Sequence, residues 1–256
     1  LLKAGFLPGA VSVTTKSQAS ADRLQDELGV IAYAQESNSE ANSHAVRGAD
    51  VILVAVKPAY VASVLSEVKD ALQDGALVIS VAAGTTIETM QNTVREDVAV
   101  IRSMPNTPAI VGRAVTGIAK GERASEKQLK IAIELFETVG SVVVVDENQI
   151  DELSTISGSG PAYVFYLIEE LTSAAKTMGF DESTAELLVQ QTFLGASELL
   201  AASGKTPQQL RAQVTSPNGT TMRAIAELEA AGLQAIFEKA TKAALARAKE
   251  IASQKG

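Results

Sequence analysis

The sequence predicts an α/β fold in two parts: a largely parallel sheet with helices on its faces, then an all-helical part. Three observations carry this. Over residues 1–148, short apolar runs such as Val51-Ile52-Leu53-Val54-Ala55-Val56 and Leu77-Val78-Ile79-Ser80-Val81 alternate with amphipathic stretches. A run without polar alternation marks a strand buried on both faces, and strands alternating with helices imply parallel pairing through right-handed crossovers. From Gln149 onward β-branched runs disappear and Ala, Leu and Glu dominate, so residues 149–256 read as helix throughout.

Each element has its own signal. Val11 to Val13 is a short strand, and Ser20 to Leu28 a helix closed by Gly29. The Val51 run is followed by a helix from Ala59 to Leu72, and the Leu77 run is the next strand. Ala99 to Arg102, Ala114 to Ala119 and Val142 to Val145 are further strands, the last two separated by a helix from Ser125 to Val139. The second part carries five helices: Tyr163 to Met178, Ser183 to Ala202, Pro207 to Val214, Thr221 to Ala230 and Leu233 to Ser253. Gly179, Gly204 and Gly232 close three of them.

Composition narrows the function. The 256 residues are 46% hydrophobic, enough for a sizeable core. No apolar run approaches the ~18 residues of a membrane span. With no cysteine and one histidine, His44, neither thiol chemistry nor a metal site has support. The net charge of −8 argues against nucleic acid as a partner. A Gly-x-Ser-x-Gly elbow with a histidine partner is also missing.

The most specific stretch is Thr215-Ser216-Pro217-Asn218-Gly219-Thr220-Thr221-Met222-Arg223-Ala224-Ile225-Ala226. Pro fixes φ and Asn-Gly accepts φ > 0, so this is a turn feeding a helix. The free N–H groups of a helix's first turn suit an anion, a small carboxylate as well as a phosphate. An ordinary capped helix is the alternative reading of the same residues. Pro207, Leu210, Val214, Thr215-Ser216, Asn218-Gly219, Thr221, Ala224-Ile225 and Leu228-Glu229 resemble, without a gap, the signature of pyrroline-5-carboxylate reductases, the last enzymes of proline biosynthesis. Ala55-Val56-Lys57-Pro58, Arg102 to Pro108 and Ser157-Gly158-Ser159-Gly160-Pro161-Ala162 are similar to the same family.

The resemblance implies a Rossmann-like dinucleotide-binding domain over 1–148 and a substrate and dimerisation domain over 149–256. Such a domain begins with a strand and a Gly-x-Gly-x-x-Gly turn, and none precedes Val11. Leu1 to Phe6 reads as the end of the first helix, so roughly 15–25 further residues are expected upstream. Thr14-Thr15-Lys16-Ser17, after the first strand, holds no carboxylate. A cation among hydroxyls suits a 2′-phosphate, which favours NADPH while leaving NADH possible. The same loop reads equally as a plain polar turn. Cofactor contacts are expected from Thr15, Lys16 and Ser17, and from Ala55, Val56, Lys57 and Pro58 after the next strand. Val81, Ala82 and Ala83 are small enough for a nicotinamide ring to approach the backbone. The resemblance adds Asn42, otherwise a helix cap, and Asp146, otherwise a solvated acid.

The implied chemistry is hydride reduction of Δ1-pyrroline-5-carboxylate to L-proline. The Thr221 hydroxyl would bond the imine nitrogen, and Ser216 with the N–H groups of Gly219, Thr220 and Thr221 would hold the carboxylate. Proximity suffices, and no strong acid is needed. The resemblance further implies a cytoplasmic homo-oligomer, dimeric through interlocked helical domains, whose dimers can associate further. A β-hydroxyacid dehydrogenase would need a lysine on the first long helix of the second domain, where only Lys176 stands, too near the far end. A non-catalytic nucleotide-binding protein is the remaining alternative.

Overall fold

The computed structural model describes residues 2–253. They divide into two compact units, residues 2–158 with 245–253, and Ser159–Ala244.

Among the described residues, the first unit holds seven strands, six whole α-helices and the end of the last helix of the chain. β1 (Ser12–Thr15), α1 (Gln18–Leu28) and β2 (Ile31–Ala34) come first, then α2 (Ala41–Val46) and β3 (Val51–Val54). α3 (Val61–Val68), β4 (Leu77–Ser80), α4 (Ile87–Gln91), β5 (Ala99–Met104) and β6 (Ala114–Lys120) follow. α5 (Glu126–Glu137), β7 (Gly140–Val144) and the short α6 (Ile150–Leu153) complete it, with one π-helical turn over Ser154–Gly158. β1 and β2 form a parallel pair, and the other five strands a sheet in the order β3-β4-β5-β6-β7. Only β6 against β5 is antiparallel in that sheet. β1 and β3 are not hydrogen-bonded to one another.

Continuous apolar runs work here because both sheet faces are covered. Val78 and Val100 pack with Val61, Leu65 and Val68 of α3 on one face. Their neighbours Leu77, Ile79, Ala99 and Ile101 pack with Ala132 and Phe136 of α5 on the other. Period-two alternation thus splits each strand between two cores. The helix ends follow the sequence: Ser125 and Gln128 close a capping box on α5, and Ser17 accepts the Ser20 N–H at the start of α1. At the start of β7, Gly140 has φ 155° and lies directly against the Ala114 backbone.

The second unit consists of α7 (Gly160–Thr177), α8 (Glu182–Ser203), α9 (Pro207–Gln213), α10 (Thr220–Ala230) and most of α11 (Leu233–Ser253). Asp181 caps α8, accepting from Ser183 Oγ at 2.7 Å, Thr184 N at 3.0 Å and Thr184 Oγ1 at 2.8 Å. These donors, Ser183 first, lower its carboxyl to about 2. Phe165, Tyr166, Leu187 and Leu194 all stay more than half exposed.

β2 and α4 carried no sequence signal. Ile31-Ala32-Tyr33-Ala34 is too rich in small residues to stand out, and α4 is only five residues long.

Candidate active site

In the first unit the expected cofactor residues sit at the carboxyl ends of parallel strands. β3 and β4 pair Val54 with Ser80, so Ala55 and Val81 leave the sheet side by side, and Val81 N donates to Val54 O at 3.1 Å. Ala55, Lys57 and Ala83 are exposed, Val56, Pro58 and Val81 half-buried, and Ala82 buried. Gly84, with φ 71°, turns the chain after Ala83. Small residues, Ala82, Ala83 and Gly84, thus follow the carboxyl end of β4.

After β1, Thr15 Oγ1 donates to Ser17 O at 2.9 Å, and Lys16 is exposed. The sequence reading found no carboxylate in this loop, yet the fold brings one from elsewhere. Glu36, two residues past β2, accepts the Gln18 N–H at 3.0 Å at the start of α1. Asn42 on α2 is 9% exposed, and its side-chain nitrogen donates to both Glu67 oxygens on α3, at 3.2 and 3.1 Å. That bond ties α2 to α3.

Asp146 is exposed and its N–H donates to Gln149 Oε1 at 3.3 Å, opening a short 3-10 turn. Its neighbour Glu147, passed over by sequence reasoning, makes the longer-range contacts. Glu147 Oε1 accepts the Ile87 N–H at 2.6 Å and lies 3.5 Å from Arg102 Nη1. Arg102 is 4% exposed and also pairs with Asp151 at 2.5 Å. A cation so deeply buried requires such partners. Two residues past β5, Asn106 donates to Ser157 O and accepts from Val115 N, both at 2.9 Å.

In the second unit, Ser216-Pro217-Asn218-Gly219 forms a turn closed by Gly219 N donating to Ser216 O at 3.0 Å. Asn218 has φ 59°, a left-handed conformation that Asn tolerates better than most residues. α10 then starts at Thr220 with Gly219 as N-cap. Because its N–H closes the turn, Gly219 serves as geometry, and the first-turn donors are those of Thr220 and Thr221. Ser216 and Thr220 are exposed, Thr221 half-buried. Sequence-predicted site residues therefore fall into two sets, one on each unit.

No cluster of three or more His, Cys, Asp or Glu exists among the described residues. Nor, among them, is any helix long and apolar enough to cross a membrane. A recess of about 610 Å³, lined by Asp50, Gly75 and Gln128 among others, lies at the amino ends of β3 and β4, opposite the expected site.

Comparison with known proteins identifies the family. Residues 147–251 match the model described as pyrroline-5-carboxylate reductase dimerisation. A pyrroline-5-carboxylate reductase of Corynebacterium melassecola is 37% identical over 254 residues, 98% of this chain and 92% of its own. The chain belongs to the pyrroline-5-carboxylate reductase family. Residues 1–84 match the model described as NADP oxidoreductase coenzyme F420-dependent. The solved pyrroline-5-carboxylate reductase of Coxiella burnetii is similar at TM-score 0.91 and 38% identity, covering 98% of this chain and 91% of that one. A Plasmodium falciparum pyrroline carboxylate reductase structure with NADP bound has TM-score 0.82 and 26% identity, with the same coverages. A 3-hydroxyisobutyrate dehydrogenase of Mycobacterium tuberculosis shares the fold alone, at TM-score 0.52 and 15% identity.

Proposed function

We propose that this protein reduces Δ1-pyrroline-5-carboxylate to L-proline with NADPH or NADH. The nicotinamide cofactor, when bound, supplies the hydride. Thr15, Lys16 and Ser17 provide hydroxyls and a cation for its 2′-phosphate, Ala55 to Pro58 meet it largely through backbone, and Val81, Ala82 and Ala83 are small enough to let its ring approach. Asn42, held by Glu67, is assigned a cofactor contact by the family resemblance.

The observation that carries the reading is the Ser216–Thr221 turn. Within six residues it offers an exposed hydroxyl at Ser216, first-turn N–H groups at Thr220 and Thr221, and a half-buried Thr221 hydroxyl. An anionic carboxylate next to an imine nitrogen asks for that set. The amides hold the carboxylate against the positive end of α10. The Thr221 hydroxyl bonds the nitrogen as it gains a proton from solvent. Asp146 lies on the other unit, where its backbone opens the 3-10 turn before α6, and it takes no part in this set. The protein works in the cytoplasm as a homo-oligomer, in which a second copy covers the apolar surface of Phe165, Tyr166, Leu187 and Leu194.

The test is turnover of the imine with NADPH, read as oxidation of NADPH and formation of proline. Thr221→Ala should keep NADPH binding and lose about 10- to 100-fold in turnover, the scale of one to two hydrogen bonds in a transition state. No proline from the wild type would overturn the function, and unchanged kinetics in the variant would overturn the role of Thr221.

A further inference from the structure

The loop from Val81 to Thr86 is held at both ends by consecutive residues of β5. At its start, Ser103 Oγ donates to Ser80 O at 2.8 Å, and Ala82 N donates to Ser80 Oγ at 3.2 Å. Ser80 and Ser103 are 0% and 1% exposed, so neither bond competes with water. At its end, Ile87 N donates to Glu147 Oε1 at 2.6 Å across 60 residues of sequence. Glu147 is in turn held by Arg102, buried at the adjacent position of the same strand and anchored on its other side by Asp151. Between these points Ala82 and Thr85 are buried, but Ala83 is exposed and Gly84 has no side chain, so packing does not shape the turn at the loop's tip. The shape therefore depends on its two ends.

We propose that Arg102 and Glu147 form a positioning pair, holding the Val81–Thr86 loop in the shape that receives the nicotinamide. Arg102 acts only through Glu147 and Asp151. This rests on the reading of Val81 to Ala83 as the nicotinamide ledge. The Ser103 bond fixes one end directly. The guanidinium, rigid and locked between two carboxylates, fixes the other by aiming Glu147 at the Ile87 amide. A mobile loop would have to be ordered on binding, and that cost falls on cofactor affinity rather than on the imine.

The experiment measures the NADPH dissociation constant by fluorescence, the Michaelis constants of both substrates and the thermal midpoint. Glu147→Ala should weaken NADPH binding about tenfold, the scale of one lost hydrogen bond to a charged acceptor. The Michaelis constant of the imine should stay within about twofold, since its proposed contacts lie on α10. Glu147→Gln, whose amide oxygen still accepts the Ile87 N–H, should recover most of the loss. Ala83→Val, which puts two methyls on the ledge, is the control. If Ala83→Val weakens NADPH binding and Glu147→Ala does not, the positioning pair is overturned and the ledge stands. Glu147→Ala lowering only the thermal midpoint, with both Michaelis constants unchanged, also overturns it. NADPH binding unaffected by Ala83→Val overturns the ledge and the pair together.

Discussion

Gly219→Ala is a test of the α10 turn that the structure makes quantitative. Gly219 has φ −77° and ψ 169°, ordinary extended backbone that alanine adopts freely. A Cβ there would lie 2.4 Å from Ser216 Oγ and 3.1 Å from Ser216 O. The first distance is impossible, but it involves the end of a short exposed side chain, which can rotate away. The turn and α10 should survive, at a cost of about 1 kcal/mol or less for a poorer N-cap. The Ser216 hydroxyl, however, leaves the position proposed to meet the substrate carboxylate. Losing one hydrogen bond to a charged group costs about 1.5–3 kcal/mol, or about 10- to 150-fold in kcat/KM for the imine. The assay varies the imine at saturating NADPH and measures NADPH binding separately. Most of the loss should fall on the imine, with NADPH affinity unchanged. Imine kinetics equal to wild type, in a variant that folds and binds NADPH, would refute the assignment of Ser216 and Gly219.

Gly140→Ala should be among the most damaging single substitutions, because its Cβ would fall 2.1 Å from Ala114 O at a φ of +155°. A loss of at least about 3 kcal/mol is expected on urea unfolding, and an unchanged midpoint would contradict the β6–β7 register. Asp181, whose carboxyl lies at about 2 when folded, contributes stability above the ordinary aspartate range. That contribution is lost as pH falls from about 4 toward 2, so Asp181→Asn should flatten the acid side of the stability profile measured by denaturant melts. In the loop after β1, Lys16→Ala should raise the Michaelis constant for NADPH more than for NADH. Glu36→Gln, removing a negative charge from the start of α1, should shift preference towards NADPH, and an unchanged ratio in both would mean that this loop does not meet the 2′-phosphate.

Much of the candidate site is legible because its signals are local. Pro217-Asn218-Gly219 specifies its own turn, and the strand-ending small residues announce a ledge. Glu147 and Glu36 were not legible, since nothing near them in sequence marks them. Each matters because of a backbone amide that the fold brings to it, 60 residues away for Glu147 and 18 for Glu36. Asp146, singled out instead, lies one residue from the carboxylate that pairs with Arg102. Gly219 was assigned as a donor, and only the closed turn revealed that its N–H was already engaged.

By itself the sequence determined the things that a few consecutive residues decide. Apolar runs set the two-faced strands, Ser125 and Gln128 the capping box, Asp181 the start of α8, and Pro217 to Gly219 the turn into α10. These rest on dihedral preferences and hydrogen bonds that span one turn of chain. The tertiary structure decided the pairing of β2, whose small residues carry no apolar signal, and the reversal of β6 against β5. It also decided the partners of Arg102, Asn42 and Asn106. Burial makes a charge or an amide seek whichever partner the packed elements present, and that choice has no counterpart along the chain.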